Sequence, residues 1–352
     1  MNQIWRSRQA TPDDSEAIVE LYEKVFGARL PISHWRWQYL DNPAGKMCIF
    51  VAEHDGKIVG QCALLPTWIN LGGLKIMGGQ RVDSMVHPDY RSQGMFSSLA
   101  EECYAHAASE GVQLLYHFPD ELSQSVSMNR LETHDVGTLP RFIKVLNPRS
   151  VIERRVHSAA IGALAEKPAY LFLRMLGGSK KVEPGTAIRI TRIDNFDRRF
   201  DDLWLSIRER FSVSVWKDSV YLNWRYFSCP DREYTVLAAE KHDDLLGFVV
   251  LRCGIEQSWV GHIIDFLSQT GDATAELLLS TGLDFLKSQG MDIATCHVFE
   301  HDPFYRFFKN QGFFRYGGYL TLFARSLTPD LSSNTIPDFM QWHLMEGDVD
   351  VF

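Results

Sequence analysis

The sequence predicts an α+β fold built twice, as two tandem domains that each hold a mixed twisted sheet flanked by helices. Three observations predict it. At 352 residues the chain is longer than one ordinary hydrophobic core supports, so two domains are the natural division. "WQYLDNPAGKMCIFVAEHDGKIVG" (37–60) aligns without a gap on "WRYFSCPDREYTVLAAEKHDDLLG" (224–247), at a constant offset of 187. Trp, Tyr, Pro, Ala, Glu and Gly recur at 37/224, 39/226, 43/230, 52/239, 53/240 and 60/247. Ordinary residue usage gives about one or two identities over such a length. Third, residues 97–118 and 275–299 each read as a helix closed by glycine, then a strand. A period this long means duplicated domains and not a solenoid.

Taken in order, the first domain covers 1–147, a helical connector 148–186, the second domain 187–326 and a tail 327–352. Within each repeat a short helix leads through an Asn-Pro or Cys-Pro turn into two strands that meet at a polar turn. "GGQRVDSMV" (78–86) suits a strand bounded by Gly-Gly and Pro88. Phe96, Leu99, Ala100, Cys103 and Ala107 then mark one apolar face of a helix. The most apolar stretch, 158–176, is broken by Glu166, Lys167 and Pro168, and reads as a helix packed on protein.

Composition narrows the function. A formal net charge of -8 argues against a nucleic-acid or anionic-membrane partner and mildly favours a cationic substrate. The N-terminus lacks an apolar signal stretch, which points to the cytoplasm. The six cysteines are scattered without a C-x-x-C pair, so neither a metal site nor a disulfide framework is expected, and each reads as a small buried residue.

"VHPDYRSQGMF" (86–96) joins the predicted strand to the predicted helix. Unpaired N–H groups and the macrodipole at a helix start favour an anion. Gly94 allows close backbone approach and Arg91 adds charge-assisted hydrogen bonds, so the loop suits a diphosphate. Read without further context, it suits equally a turn that needs a glycine.

This stretch resembles the coenzyme A motif of the GNAT acyltransferase superfamily, R/Q-x-x-G-x-G/A, with Phe96 departing from the last position. "WRSRQATPDDSEAIVELYEKVF", "FVAEHDGKIVGQCALLP" (50–66) and "FYRFFKNQGFF" (304–314) are similar to other GNAT segments. The resemblance covers about 1–145 and 187–326 and implies a tandem GNAT protein using acetyl-CoA or another acyl-CoA. It implies a cofactor site at Arg91, Ser92, Gln93, Gly94, Met95 and Phe96, with backbone groups of Ser84, Met85 and Val86 meeting the acyl-pantetheine. Aligned on the helix-ending glycines, the second loop, "SQTGDAT", sets Thr270 against Arg91, Asp272 against Gln93 and Ala273 against Gly94; it lacks the cation and adds a carboxylate, so the second domain reads as a degenerate copy.

For proton transfer the candidates are Asp83, His117 and Tyr116, with Ser123 and Ser125 nearby. Gln80, His34, Trp35 and Ser123 are candidate substrate contacts, whereas Trp37 and the repeated Glu53 read as structural. Tyr305, in the second domain, reads as a structural aromatic, and "WHLMEGDVDVF" (342–352) as a solvated acidic tail. The expected activity is N-acetyl transfer to a small-molecule primary amine, an amino sugar or amino acid derivative. The alternatives are an acyl-CoA sensor without catalysis and an aminoacyl-tRNA-dependent transferase.

Overall fold

The computed structural model describes residues 4–119, 124, 128, 130–156, 187–254, 257–269, 272–328 and 342–349. The first half opens with β1 (Arg6–Gln9), α1 (Ser15–Phe26) and α2 (Ile32–Tyr39). It continues through β2 (Cys48–His54), β3 (Lys57–Leu71) and β4 (Leu74–Val86) to α3 (Met95–Ser109), β5 (Leu114–His117) and β6 (His134–Val145). Of the connector, α4 (Pro148–Val156) is described; the apolar stretch 158–176 lies outside the described residues. The second half repeats the order with β7 (Ile188–Ile193), α5 (Arg198–Ile207), β8 (Val213–Val215) and α6 (Ser219–Tyr226). It goes on through β9 (Thr235–Lys241), β10 (Asp244–Cys253), β11 (Val260–Ser268), α7 (Asp272–Ser288), β12 (Ile293–His297) and α8 (Pro303–Asn310). Last come β13 (Phe314–Ser326) and β14 (Trp342–His343).

All the strands belong to one sheet, whose main path runs β1-β2-β3-β4-β5-β13-β6-β12-β11-β10-β9-β7. The order is symmetric about its centre, and the two halves exchange their last strands. β6 of the first half pairs antiparallel with β12, and β13 of the second half pairs antiparallel with β5. Each half thus completes the other's sheet, which removes two unpaired strand edges.

The repeated tryptophans mark the symmetry point. Trp37 and Trp224 stack with ring centroids 4.8 Å apart. Trp37 Nε1 donates to Trp224 O at 2.8 Å, and Trp224 Nε1 to Trp37 O at 3.0 Å. Two buried indole donors are satisfied by two backbone acceptors, as burial demands.

In the first half α3 buries Leu99, Ala100 and Cys103 against Cys62 and Leu64 on one face of the sheet. α1 and α2 bury Ile18, Trp35 and Tyr39 against Ile49, Ala63, Val82 and Met85 on the other. Five cysteines are buried as expected; Cys253, at the end of β10, is exposed.

The tail departs from the sequence reading. Trp342, Leu344 and Val349 are buried beside Tyr116 and Phe299, and Glu346 and Asp348 are buried as well. β14 pairs parallel with β8, which in turn pairs antiparallel with β3. The acidic side chains find cationic partners inside, which is what allows burial. Asp350 and the Phe352 carboxylate lie outside the described residues.

Candidate active site

β4 and β5 are parallel and hydrogen-bonded only at Gly78–Gln80 against Leu114–Tyr116 among the described residues. Beyond Gln80 this pairing ends, and among the described residues no strand pairs with the β5-facing edge of residues 81–86. The register of β4 against β3 slips between Val82 and Met85, a β-bulge. Asp83 sits in it with φ of 45°, a conformation strained for a non-glycine residue. Gln61 Nε2 holds its carbonyl at 2.9 Å.

The bulge turns the Asp83 carboxylate towards α2. Tyr39 donates its hydroxyl to Asp83 Oδ2 at 2.6 Å, and Gln38 Nε2 donates to the same oxygen at 3.0 Å. Gln38 Oε1 lies 3.1 Å from His34 Nε2, and His34 Nδ1 lies 2.7 Å from Asp231 Oδ1. A four-residue chain therefore runs from Asp231 of the second half to Asp83 of the first. Burial pushes the Asp83 carboxyl above its ordinary pKa, and the bonds from Tyr39 and Gln38 and the positive charge of His34 and Arg232 only partly offset it. Cys229 Sγ joins His34 and Asp231 in a group whose ligand atoms lie within 4.8 Å of one another. Within this group His34 and Asp231 are in direct hydrogen-bond contact.

The loop after β4 sets a glycine at the start of α3. Gly94 caps α3 with φ of 81°, the left-handed region that glycine adopts without strain, and a Cβ there would meet nothing within 4 Å. The turn needs its glycine, and the space in front of the helix is open. Ser92 is also left-handed, with φ of 61°. Arg91 is exposed and its Nε donates to Val86 O at 3.3 Å, tying the loop to the end of β4. Gln93 donates to Asp89 O at 3.4 Å. Met95 is buried, whereas Phe96 stays half-buried under the Arg81 guanidinium, 5.2 Å from its ring. Arg81 is buried behind the helix start and donates to the Tyr104 hydroxyl at 2.9 Å. A cation behind helix N–H groups deepens the positive potential there.

The other proton-transfer candidates are not brought to Asp83. Tyr116 and His117 are consecutive on β5 and so face opposite sides of the sheet. Tyr116 is buried against Trp342 and donates its hydroxyl to Asp348 O at 3.3 Å, so it holds the tail. His117 packs against Phe323, and burial, with Arg81 adding to it, holds its pKa well below the ordinary value. Trp35 is core and not ligand-facing, being fully buried against Tyr39. Gln80 is buried with no partner for Nε2 among the described residues. Ser123, Ser125 and Thr270 lie outside the described residues.

Glu53 is structural, as its repetition implied: it bonds Arg8 on β1 at 2.9 Å, and Glu240 bonds Arg189 on β7 at 3.2 Å. Sequence reasoning missed Arg81, Gln38, Tyr39 and Asp231. Arg81 had a signal, a lone cation inside an apolar strand pattern; Tyr39 had another, its recurrence as Tyr226.

Residues 6–127 match the acetyltransferase (GNAT) domain family model. The N-terminal part of this chain is a GNAT domain. No curated protein matches the chain. Among solved structures, a probable N-acyltransferase of unknown function from Enterococcus faecalis superposes with a TM-score of 0.64 at 12% identity, over 92% of this chain and 73% of the other. A GCN5-related N-acetyltransferase from Anabaena variabilis gives 0.65 at 10% identity, over 92% and 73%. Saccharomyces cerevisiae N-myristoyltransferase with bound myristoyl-CoA gives 0.60 at 12% identity, over 92% and 83%. At such identities the likeness is one of fold, and it extends over both halves. The GNAT family consists of acyltransferases that bind acyl-CoA. No helix among the described residues is long and apolar enough to cross a membrane.

Proposed function

We propose that the protein is an acyl-CoA-dependent N-acyltransferase, most simply an N-acetyltransferase, acting on the primary amine of a small molecule. The observation that carries this reading is the bulge that sets Asp83 beside the separated edge of β4, next to a glycine-capped helix start. An acyl-CoA diphosphate would lie at Arg91–Phe96, with its thioester against backbone groups of Ser84–Val86. Val86 O already accepts from Arg91, so that group is shared or released on binding.

Asp83 is then the base. It takes one proton from the substrate ammonium, and the freed nitrogen lone pair forms the bond to the thioester carbonyl carbon. The carbon–sulfur bond breaks, and the departing thiolate collects the second amine proton. A pKa raised above the ordinary carboxylate range makes Asp83 a stronger base than an exposed aspartate. Holding both reactants in the cleft supplies the rest.

Thiol release from acetyl-CoA on adding a primary amine tests the reading. Asp83→Asn should lower turnover by about 10²–10⁴-fold with acetyl-CoA binding retained. Turnover undiminished in Asp83→Asn would remove Asp83 from the mechanism.

A further inference from the structure

The second half carries a filled version of the Asp83 site. Asp265 stands at the matching irregularity of β11, where the register against β10 shifts between Val250 and Leu251. Tyr226, the repeat of Tyr39, donates its hydroxyl to Asp265 Oδ2 at 2.9 Å, as Tyr39 does to Asp83 at 2.6 Å. Into this second site reaches Lys217, from the turn before α6. Its Nζ lies 2.7 Å from Asp265 and 3.0 Å from Asp348 of the tail, and the lysine is fully buried. Burial lowers the lysine pKa, but the two carboxylates outweigh it and hold the ammonium charged.

By the repeat offset of 187, the counterpart of Lys217 is Leu30, in the turn before α2. Among the described residues no lysine enters the first site. Asp83 makes no ion pair among the described residues, and it is half-buried where Asp265 is fully buried. The cations near it, His34 on α2 and Arg232 beyond α6, act through space and are not bonded to it. Leu30 and Ile32 pack on the same apolar cluster as Val82 and Met85 of β4, so the approach is apolar. Gln38, bonded to Asp83, replaces Arg225, which in the second half grips the tail carbonyls of Gly347 and Val349 at 2.8 Å each.

We infer that the first-half site takes its acceptor as an alkylammonium on an apolar stem, a lysine-like primary amine, which makes with Asp83 the ion pair that Lys217 makes with Asp265. The inference rests on the acyl-CoA reading above and narrows its amine. A lysine side chain is such a group, a point charge on a flexible four-carbon stem. The second half is silenced because its own lysine occupies the acceptor position under the tail.

The test uses the full chain with and without coenzyme A, titrated with Nα-acetyl-lysine methylamide, n-pentylamine and the neutral n-pentanol. Both amines should bind and pentanol should not. Asp83→Asn and Leu30→Lys should each weaken the amines by about tenfold or more, the second because its new ammonium reaches Asp83; Leu30→Met should stay within about threefold. Amine affinity unchanged in Asp83→Asn overturns the inference. So does acetyl-CoA binding to the wild type while neither amine binds, an outcome that leaves the acyl-CoA reading standing. Amine binding without acetyl-CoA binding supports the inference and removes that reading. If Leu30→Lys fails to fold, Asp83→Asn decides.

Discussion

At the scale of single residues, the site depends on how Asp83 is held. A carboxylate with desolvation raising its pKa and one short phenol bond lowering it is tuned by that phenol. As the proposed base Asp83 works deprotonated, so the rate should fall as pH drops through its pKa, and that acid limb should lie above the ordinary carboxylate value of about 3.9. Tyr39→Phe removes a bond that favours the charged form. The limb of kcat/KM should therefore move to higher pH; a limb that stays put or moves lower would belong to another group. The placement of Asp83 on a strand and of Gly94 at a helix start was legible in the sequence because each sits in a local pattern. Asp231 was not: it meets His34 across 197 residues, and no local pattern encodes that contact. Trp35 misled because an aromatic before a turn reads the same whether it faces core or ligand.

At the scale of elements, the tail is a structural insert. Glu346 lies 2.7 Å from His262 Nδ1 and 2.9 Å from His297 Nδ1, all three buried. Burial raises its pKa, but the two histidines prevail and bring it down to about 2 from an ordinary 4.5. A lowered carboxyl pKa contributes stability that is complete above the ordinary value and lost as pH falls through the window from about 4.5 towards 2. Glu346→Gln should cost about 3 kcal/mol at neutral pH and flatten the pH dependence of thermal unfolding in that window. An unchanged unfolding profile would mean the tail is not bound as described. Gly347 permits the insertion, since a Cβ there would meet the Tyr226 hydroxyl at 2.1 Å. None of this was legible, because "MEGDVD" has the composition of a solvated tail and its partners lie on β11, β12 and the turn before α6. The repeat, by contrast, was legible and now has causes. Ala52 and Gly60 face each other across β2 and β3, as Ala239 and Gly247 do across β9 and β10. Adding a side chain at Gly247 would drive a Cβ to 2.5 Å from Leu267 O.

At the scale of the molecule, strand exchange joins the two halves in one sheet, and the proposed ligand site is in the first half, beside a second half whose matching carboxylate is paired with Lys217. The exchange of β6 and β13 is a property of pairing across the centre and leaves no mark in either half alone. The central claim is one acyl-CoA site per chain, in the first half. Calorimetric titration of acetyl-CoA into wild type, Arg91→Glu/Gly94→Asp and Thr270→Glu/Ala273→Asp tests it most directly. The account predicts about one site per chain, weakened by about tenfold or more in the first pair alone, the worth of losing charge-assisted bonds to a diphosphate. No binding to wild type, or binding that survives the first pair and fails with the second, would contradict it.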